Sequence, residues 1–296
     1  MKKLSSFFVA LSLTGSALAQ TAPTSTTSLR DLLKKSKFST SLATFTETNR
    51  GENSDRVIGT ANIYDVIVDY KVDANNKFTL LGEGTLSTDD EAADRNEKTT
   101  TSSMDVIEFA WTRSGILTEA NNGINFGTKL TAGLWPNDKV RDKANTSGYV
   151  QARASVSKSF SDWYSLSSQY RIYQYLQNEN QTVDKFGAPN GTDAIGRLLR
   201  HRVYLIQDIS LSKKVGLSTT LRYQRDINER KNPAGGSRDK ETYLLEQAVS
   251  YQISKDFSAA LYAGNTYATS HDNDGGLTDD SWSRSWYGLN LNLTLF

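Results

Sequence analysis

The chain contains no cysteine. That excludes a lipoprotein anchor, a disulfide framework and any thiolate-held metal. It also lacks an excess of either charge, with 34 basic residues against 33 acidic ones. Taking Lys2 and Lys3 away with the leader described below turns 34 basic residues into 32 and leaves a net charge near −1. No basic face therefore calls for nucleic acid, and no polyanionic tail suggests a solvating role. Long hydrophobic runs are missing as well. Beyond residue 19 nothing approaches the roughly 20 apolar residues of a membrane helix. Histidine occurs only at His201 and His271, which leaves few positions for imidazole chemistry.

What is present begins with MKKLSSFFVALSLTGSALAQ. Lys2 and Lys3 form a positive start, a short diluted apolar run follows from Leu4 to Leu18, and Ala17-Leu18-Ala19 supplies the small-x-small pattern of a signal-peptidase site. Residues 1–19 are expected to be a signal peptide, with Gln20 opening the mature chain. TAPTSTTS then reads as a linker. In SLRDLLKKSK (residues 28–37), Ser28 and Asp31 resemble a capping box, and Leu29, Leu32 and Leu33 share one helical face. Residues 20–37 are thus expected to be a periplasmic segment carrying a short helix.

From residue 38 onward the polarity alternates with period two. Tyr64, Val66, Val68 and Tyr70 interleave with Asp65, Ile67 and Asp69. Tyr243, Leu245, Val249, Tyr251 and Ile253 interleave with Leu244, Glu246, Ala248, Ser250 and Gln252. On a strand the two sets face opposite sides. These segments are as long as a tilted membrane strand of about 9–11 residues or longer. The strands of a soluble sandwich would be nearer five or six. Short connections are expected near 73–77, 118–123, 161–162, 213–214 and 255–256. Long ones, rich in Asp, Asn, Gly, Ser and Thr, are expected near 49–56, 88–101, 136–146, 177–197, 229–240 and 270–281. Alternating short turns and long loops give about twelve strands over residues 38–296, with ten or fourteen as the neighbouring counts. A membrane β-barrel combines that asymmetry with low mean hydropathy.

The chain ends SWSRSWYGLNLNLTLF, an aromatic-and-leucine strand closing on Phe296. This resembles the terminal strand of Gram-negative outer-membrane β-barrel proteins of the porin-like kind. The resemblance implies an all-β transmembrane antiparallel up-and-down barrel in the outer membrane, inserted by the barrel-insertion machinery, which reads that strand. Phe296 departs from the pattern, because it is out of phase with Leu289, Leu291, Leu293 and Leu295; a bulge near the end would reconcile them. Trp111, Trp135, Tyr149, Trp163, Tyr204, Tyr267, Trp282, Trp286 and Tyr287 fall near the expected strand ends, where interfacial girdles place aromatic rings.

The alternation also names the residues expected to line a lumen. Asp65, Asp69, Glu83 and Glu108 come from strands two to four, and Arg153, Arg171, Arg202 and Arg222 from strands six to nine. Acidic and basic groups on roughly opposite walls would set up a transverse field, and charged rings tune selectivity in pores. Lys71, Lys129, Asp208 and Glu246 also point inward and break that segregation. The leading expectation is a passive channel for small hydrophilic solutes, with outer-membrane lipid as its other partner. A barrel of twelve strands lies between filled and open ones, so a largely closed barrel with a structural or surface-recognition role is the alternative.

An outer-membrane enzyme is the third reading. An outward His-x-Ser arrangement would need a serine two residues from His201, where Val203 stands. His271 sits in HDNDGGLTDD with Asp272, Asp274, Asp279 and Asp280, and a solvated loop explains that composition. Clustered carboxylates there offer oxygen ligands for Ca²⁺, but the closing Glu of an EF-hand loop is missing. No catalytic set, metal site or cofactor is therefore assigned.

Overall fold

The structure is a computed structural model and describes residues 37–50, 57–89, 99–136, 146–177, 197–228, 240–270 and 285–295. The expected signal peptide, the helix at 28–37 apart from Lys37, Trp282, the His271 loop and Phe296 lie outside the described residues.

Twelve antiparallel strands close into one barrel. They are β1 (Phe38–Arg50), β2 (Val57–Lys71), β3 (Asn76–Asp89), β4 (Thr99–Leu117), β5 (Asn125–Leu134) and β6 (Thr146–Ser161). The second half comprises β7 (Tyr164–Gln177), β8 (Arg197–Ser210), β9 (Val215–Asn228), β10 (Lys240–Ser254), β11 (Phe257–Ser270) and β12 (Ser285–Thr294). Each strand pairs with its chain neighbours, and β12 pairs with β1 to remove the last free edge. One short helix, α1 (Glu119–Asn122), sits between β4 and β5.

The short connections fall where polarity and turn chemistry place them. Between β2 and β3, Asp73 Oδ1 accepts hydrogen bonds from the Asn75 and Asn76 amides at 2.7 and 2.8 Å. The Asn76 side chain adds another at 2.8 Å to Oδ2. That side-chain bond first, then the two amides, hold the Asp73 carboxyl below its ordinary value. Between β8 and β9, Ser212 Oγ accepts from the Lys214 and Val215 amides in the same way. Gly115, at φ +63°, carries the irregularity in β4 where the pairing with β5 shifts between Arg113 and Leu117.

Two faces result. Leu80, Phe109, Leu130, Val203, Leu221, Leu245, Val249 and Leu261 are exposed on the outside, although all are large and apolar. In water such a band would be an aggregation hazard; against hydrocarbon it is the required surface. The buried side chains crowd the concave face, among them Ala43, Val106, Ala110, Tyr149, Gln151, Tyr173, Tyr175, Tyr204, Gln224 and Leu244. β12 holds an uninterrupted register with β11 from Ser285 to Leu293 and with β1 from Trp286 to Thr294. The bulge expected near the end is therefore absent among the described residues.

Candidate functional site: the charged barrel interior

Register decides which inward side chains meet. One row perpendicular to the strands runs Thr112, Lys129, Arg153, Arg171, Arg202, Gln224, Thr242 across β4 to β10. It places four cations side by side on consecutive strands. Lys129 thus extends the basic sector rather than interrupting it.

Each arginine is held differently. Arg171 donates to Gln169 Oε1 at 2.7 Å and lies over the Tyr204 ring, 4.3 Å from its centroid. Arg202 donates to Gln224 Oε1 at 2.7 Å and to the Tyr173 hydroxyl at 3.3 Å. Its guanidinium also sits 5.2 Å from the Tyr173 centroid. Aromatic faces of this kind stabilise a cation without neutralising it. Arg153 Nε and Arg222 Nε are buried and find no hydrogen-bond partner in the protein.

The acidic sector occupies β2 to β4. Asp65 stands directly opposite Glu83, and Asp65 Oδ1 is another buried atom without a partner in the protein. Asp69 accepts from Lys77 Nζ at 2.9 Å and from Thr79 Oγ1 at 2.5 Å. Asp105, beside a register shift in β4, takes hydroxyl bonds from Thr85 and Ser103. Glu108 accepts a hydrogen bond from the Tyr149 hydroxyl, which reaches it across β5.

That reach depends on Gly133, which lies between Glu108 and Tyr149 in the register. A Cβ at Gly133 would stand 2.5 Å from Tyr149 Cε1 and Cζ. The ring packs against Trp135 and Tyr173, with centroids 5.7 and 5.5 Å apart, and Trp135 stacks on Tyr175. Beyond this cluster Arg200 binds Asp226 through two nitrogens, at 2.6 and 3.0 Å, with the Asp226 side chain only 3% exposed. A second aromatic group, Phe45 with Tyr262 and Trp286, lines the seam where β12 meets β1.

All eight residues singled out from the sequence share the inner face, yet the two sectors are not opposite each other. They adjoin at β4 and β5, where Tyr149 bridges them. The middle strands, β3 and β7, are four strands apart in a ring of twelve, so the field runs obliquely across the lumen. Trp135, Tyr149, Tyr204 and Trp286 are a correction. They share the inward phase and pack inside, whereas Trp163 and Tyr287 are exposed outside. Sequence reasoning does not single out Arg200, Asp226, Gln224, Tyr173 or Tyr175, although period-two phase with Arg202 and Arg222 marks several of them.

His201 faces outward. Its Nδ1 lies 2.7 Å from the Tyr170 hydroxyl, and Val203 beside it is exposed. Among the described residues no group of three His, Asp or Glu side chains could hold a metal ion.

No family model and no curated protein matches the chain. Among solved structures, an outer-membrane channel from Pseudomonas putida F1 aligns with a TM-score of 0.58 at 10% identity, covering 93% of this chain and 99% of that one. The NanC porin aligns with a TM-score of 0.51 at 8% identity, over 86% of this chain and 100% of that one. At such identities the likeness is one of fold: this chain has the closed architecture of outer-membrane channel barrels.

Proposed function

We propose that this protein is a passive outer-membrane channel for small hydrophilic solutes, exported after cleavage behind Ala19. The row Lys129, Arg153, Arg171, Arg202 carries the proposal. Like charges directly opposite one another on neighbouring strands cost stability. A filled structural core has no use for four of them, whereas a wet interior that passes solutes does. Three strand spacings of about 4.8 Å make the row about 14 Å long. With strands tilted by about 40° it climbs roughly 9 Å along the barrel axis. A passing anion is therefore handed from one cation to the next, while the Asp65, Asp69, Glu83 and Glu108 sector offers cations a parallel path. The unpartnered Asp65 Oδ1, Arg153 Nε and Arg222 Nε are the atoms that water or solute would satisfy.

Single-channel recording in a planar bilayer under a tenfold salt gradient tests this. Stepwise openings are expected. Replacing Arg153 and Arg171 by Glu should move the reversal potential toward cations by tens of millivolts of the about 59 mV available per tenfold ratio. An unchanged reversal potential would remove these residues from the conduction path. Silence from a folded barrel would instead favour a closed barrel with a structural or recognition role, for which the packed Trp135, Tyr149, Tyr173 and Tyr175 cluster is the supporting feature. The enzyme reading gains no support from His201, whose ring pairs with Tyr170 on the outer wall. Insertion would follow recognition of the terminal strand closing on Phe296.

A further inference from the structure

The outer wall of β8 to β10 is not uniformly apolar. Two of its rows are polar. Near the long-loop end His201, Arg225 and Glu241 stand in register, and nearer the short turns Gln207, Thr219 and Gln247 do. Between them lies an apolar groove of about 400 Å³ lined by Val203, Leu205, Leu221, Tyr223, Tyr243 and Leu245.

Depth makes Gln247, at the far end of the lower row, anomalous. A 14-residue strand rising about 3.3 Å per residue and tilted about 40° stands roughly 35 Å tall, around an apolar band of roughly 25 Å. Gln207 precedes the end of β8 by three residues, Thr219 follows the start of β9 by four, and Gln247 precedes the end of β10 by seven. Their heights above the short turns are then roughly 8, 10 and 18 Å, all inside the band. Gln247 is exposed, and among the described residues none of the three side chains makes a hydrogen bond within the barrel. Lipid tails cannot satisfy an amide, and a polar group left unsatisfied in hydrocarbon is strongly disfavoured.

We infer that a second copy of this chain packs against β8–β10, related by a two-fold axis along the membrane normal. Such an axis preserves depth, so Gln247 meets Gln247 of the partner subunit at the same height. A primary amide carries both donors and an acceptor, which makes the pair self-complementary. The upper row carries one charge of each sign on adjacent strands, Arg225 and Glu241, and Glu241 already accepts a hydrogen bond from the Tyr223 hydroxyl at 3.1 Å. The groove receives the apolar side chains that flank the same rows on the other copy. A lipid chain would fill the groove but leave the amide row unpaired, which is why the second copy is the better occupant.

The absence of cysteine makes a clean test possible. Gln247→Cys in native outer membranes, mildly oxidised, should give a disulfide-linked species of twice the chain mass. Its yield should exceed at least tenfold that of Tyr64→Cys, which stands outward on β2 seven residues from its short-turn end. Equal yields, no dimer, or linkage of Cys at 247 only to a different protein would overturn the inference. In detergent, light scattering should find wild type as a dimer and Gln247→Leu as a folded monomer. A monomeric wild type, or a Gln247→Leu protein that stays dimeric, would also overturn it. Neither readout depends on conductance.

Discussion

Substituting Gly133 by Ala places a methyl group under the Tyr149 ring, 2.5 Å from two of its carbons and 2.9 Å from its hydroxyl oxygen. The ring cannot simply lift away. Its hydroxyl is bonded to Glu108, and its faces contact Trp135 and Tyr173. Giving up a hydrogen bond to a carboxylate costs about 1.5–3 kcal/mol, softened here by lumen water. Overpacking a filled site costs about 1–3 kcal/mol. These are two descriptions of one relaxation, so Gly133→Ala should destabilise the barrel by about 1–3 kcal/mol. In a Tyr149→Ala background the obstructing ring is gone, and Gly→Ala at a compatible site is neutral or stabilising by up to about 1 kcal/mol. The double-mutant cycle should then give a coupling of about 1–3 kcal/mol. Urea unfolding of the refolded barrel, followed by tryptophan emission that includes Trp135, provides the measurement. The same cost in both backgrounds would refute the reasoning, because it would assign the loss to the strand backbone and not to the ring crossing β5.

Other consequences are simpler to state. Asp226→Ala leaves Arg200 buried without its carboxylate and should cost about 3–5 kcal/mol, against at most about 1 kcal/mol for Asp69→Ala, whose partner Lys77 is well exposed; equal urea midpoints for the two variants would count against that ranking. The Asp73 carboxyl, held below 3.8 by the Asn76 side chain and the turn amides, contributes stability that is present above its unfolded value and lost as pH falls through its lowered native one. The stability gap between wild type and Asp73→Ala should therefore close only in acid, and a gap that persists at pH 2 would refute the turn assignment.

Alternation made the strand count and the two faces legible, because every strand but a few residues obeys period two. Tyr64 and Asp65 could be assigned to opposite faces with no knowledge of their neighbours. Distance from strand ends misplaces Trp135, Tyr149, Tyr204 and Trp286. That distance speaks to depth, and only phase speaks to face: Tyr204 shares phase with Arg202, and Trp286 with Asn290. The cation row was not legible at all. It depends on register, and the pairing of β6 with β7 shifts by one residue between Ser159 and Ser161 beside the turn. Without that shift Arg153 would not stand beside Arg171, and no residue type there announces it. The oblique field has the same origin, since closure of the ring fixes the angle between sectors and composition does not.

For the proposed channel, the interior must reconcile two requirements that pull apart. Conduction needs charges left accessible, and stability needs them compensated. The structure divides these tasks among the arginines. Arg202 and Arg171 are steadied by Tyr173, Tyr204 and neutral amides, partners that fix geometry while leaving the charge intact. Arg200 is neutralised by a buried carboxylate and belongs to the packing. Arg153 and Arg222 each keep a nitrogen unpaired. A guanidinium over an aromatic ring retains its field, whereas one locked to a carboxylate loses most of it at a distance. Tyr173 and Tyr204 thus steady Arg202 and Arg171 within a row of four adjacent cations without adding a compensating acid.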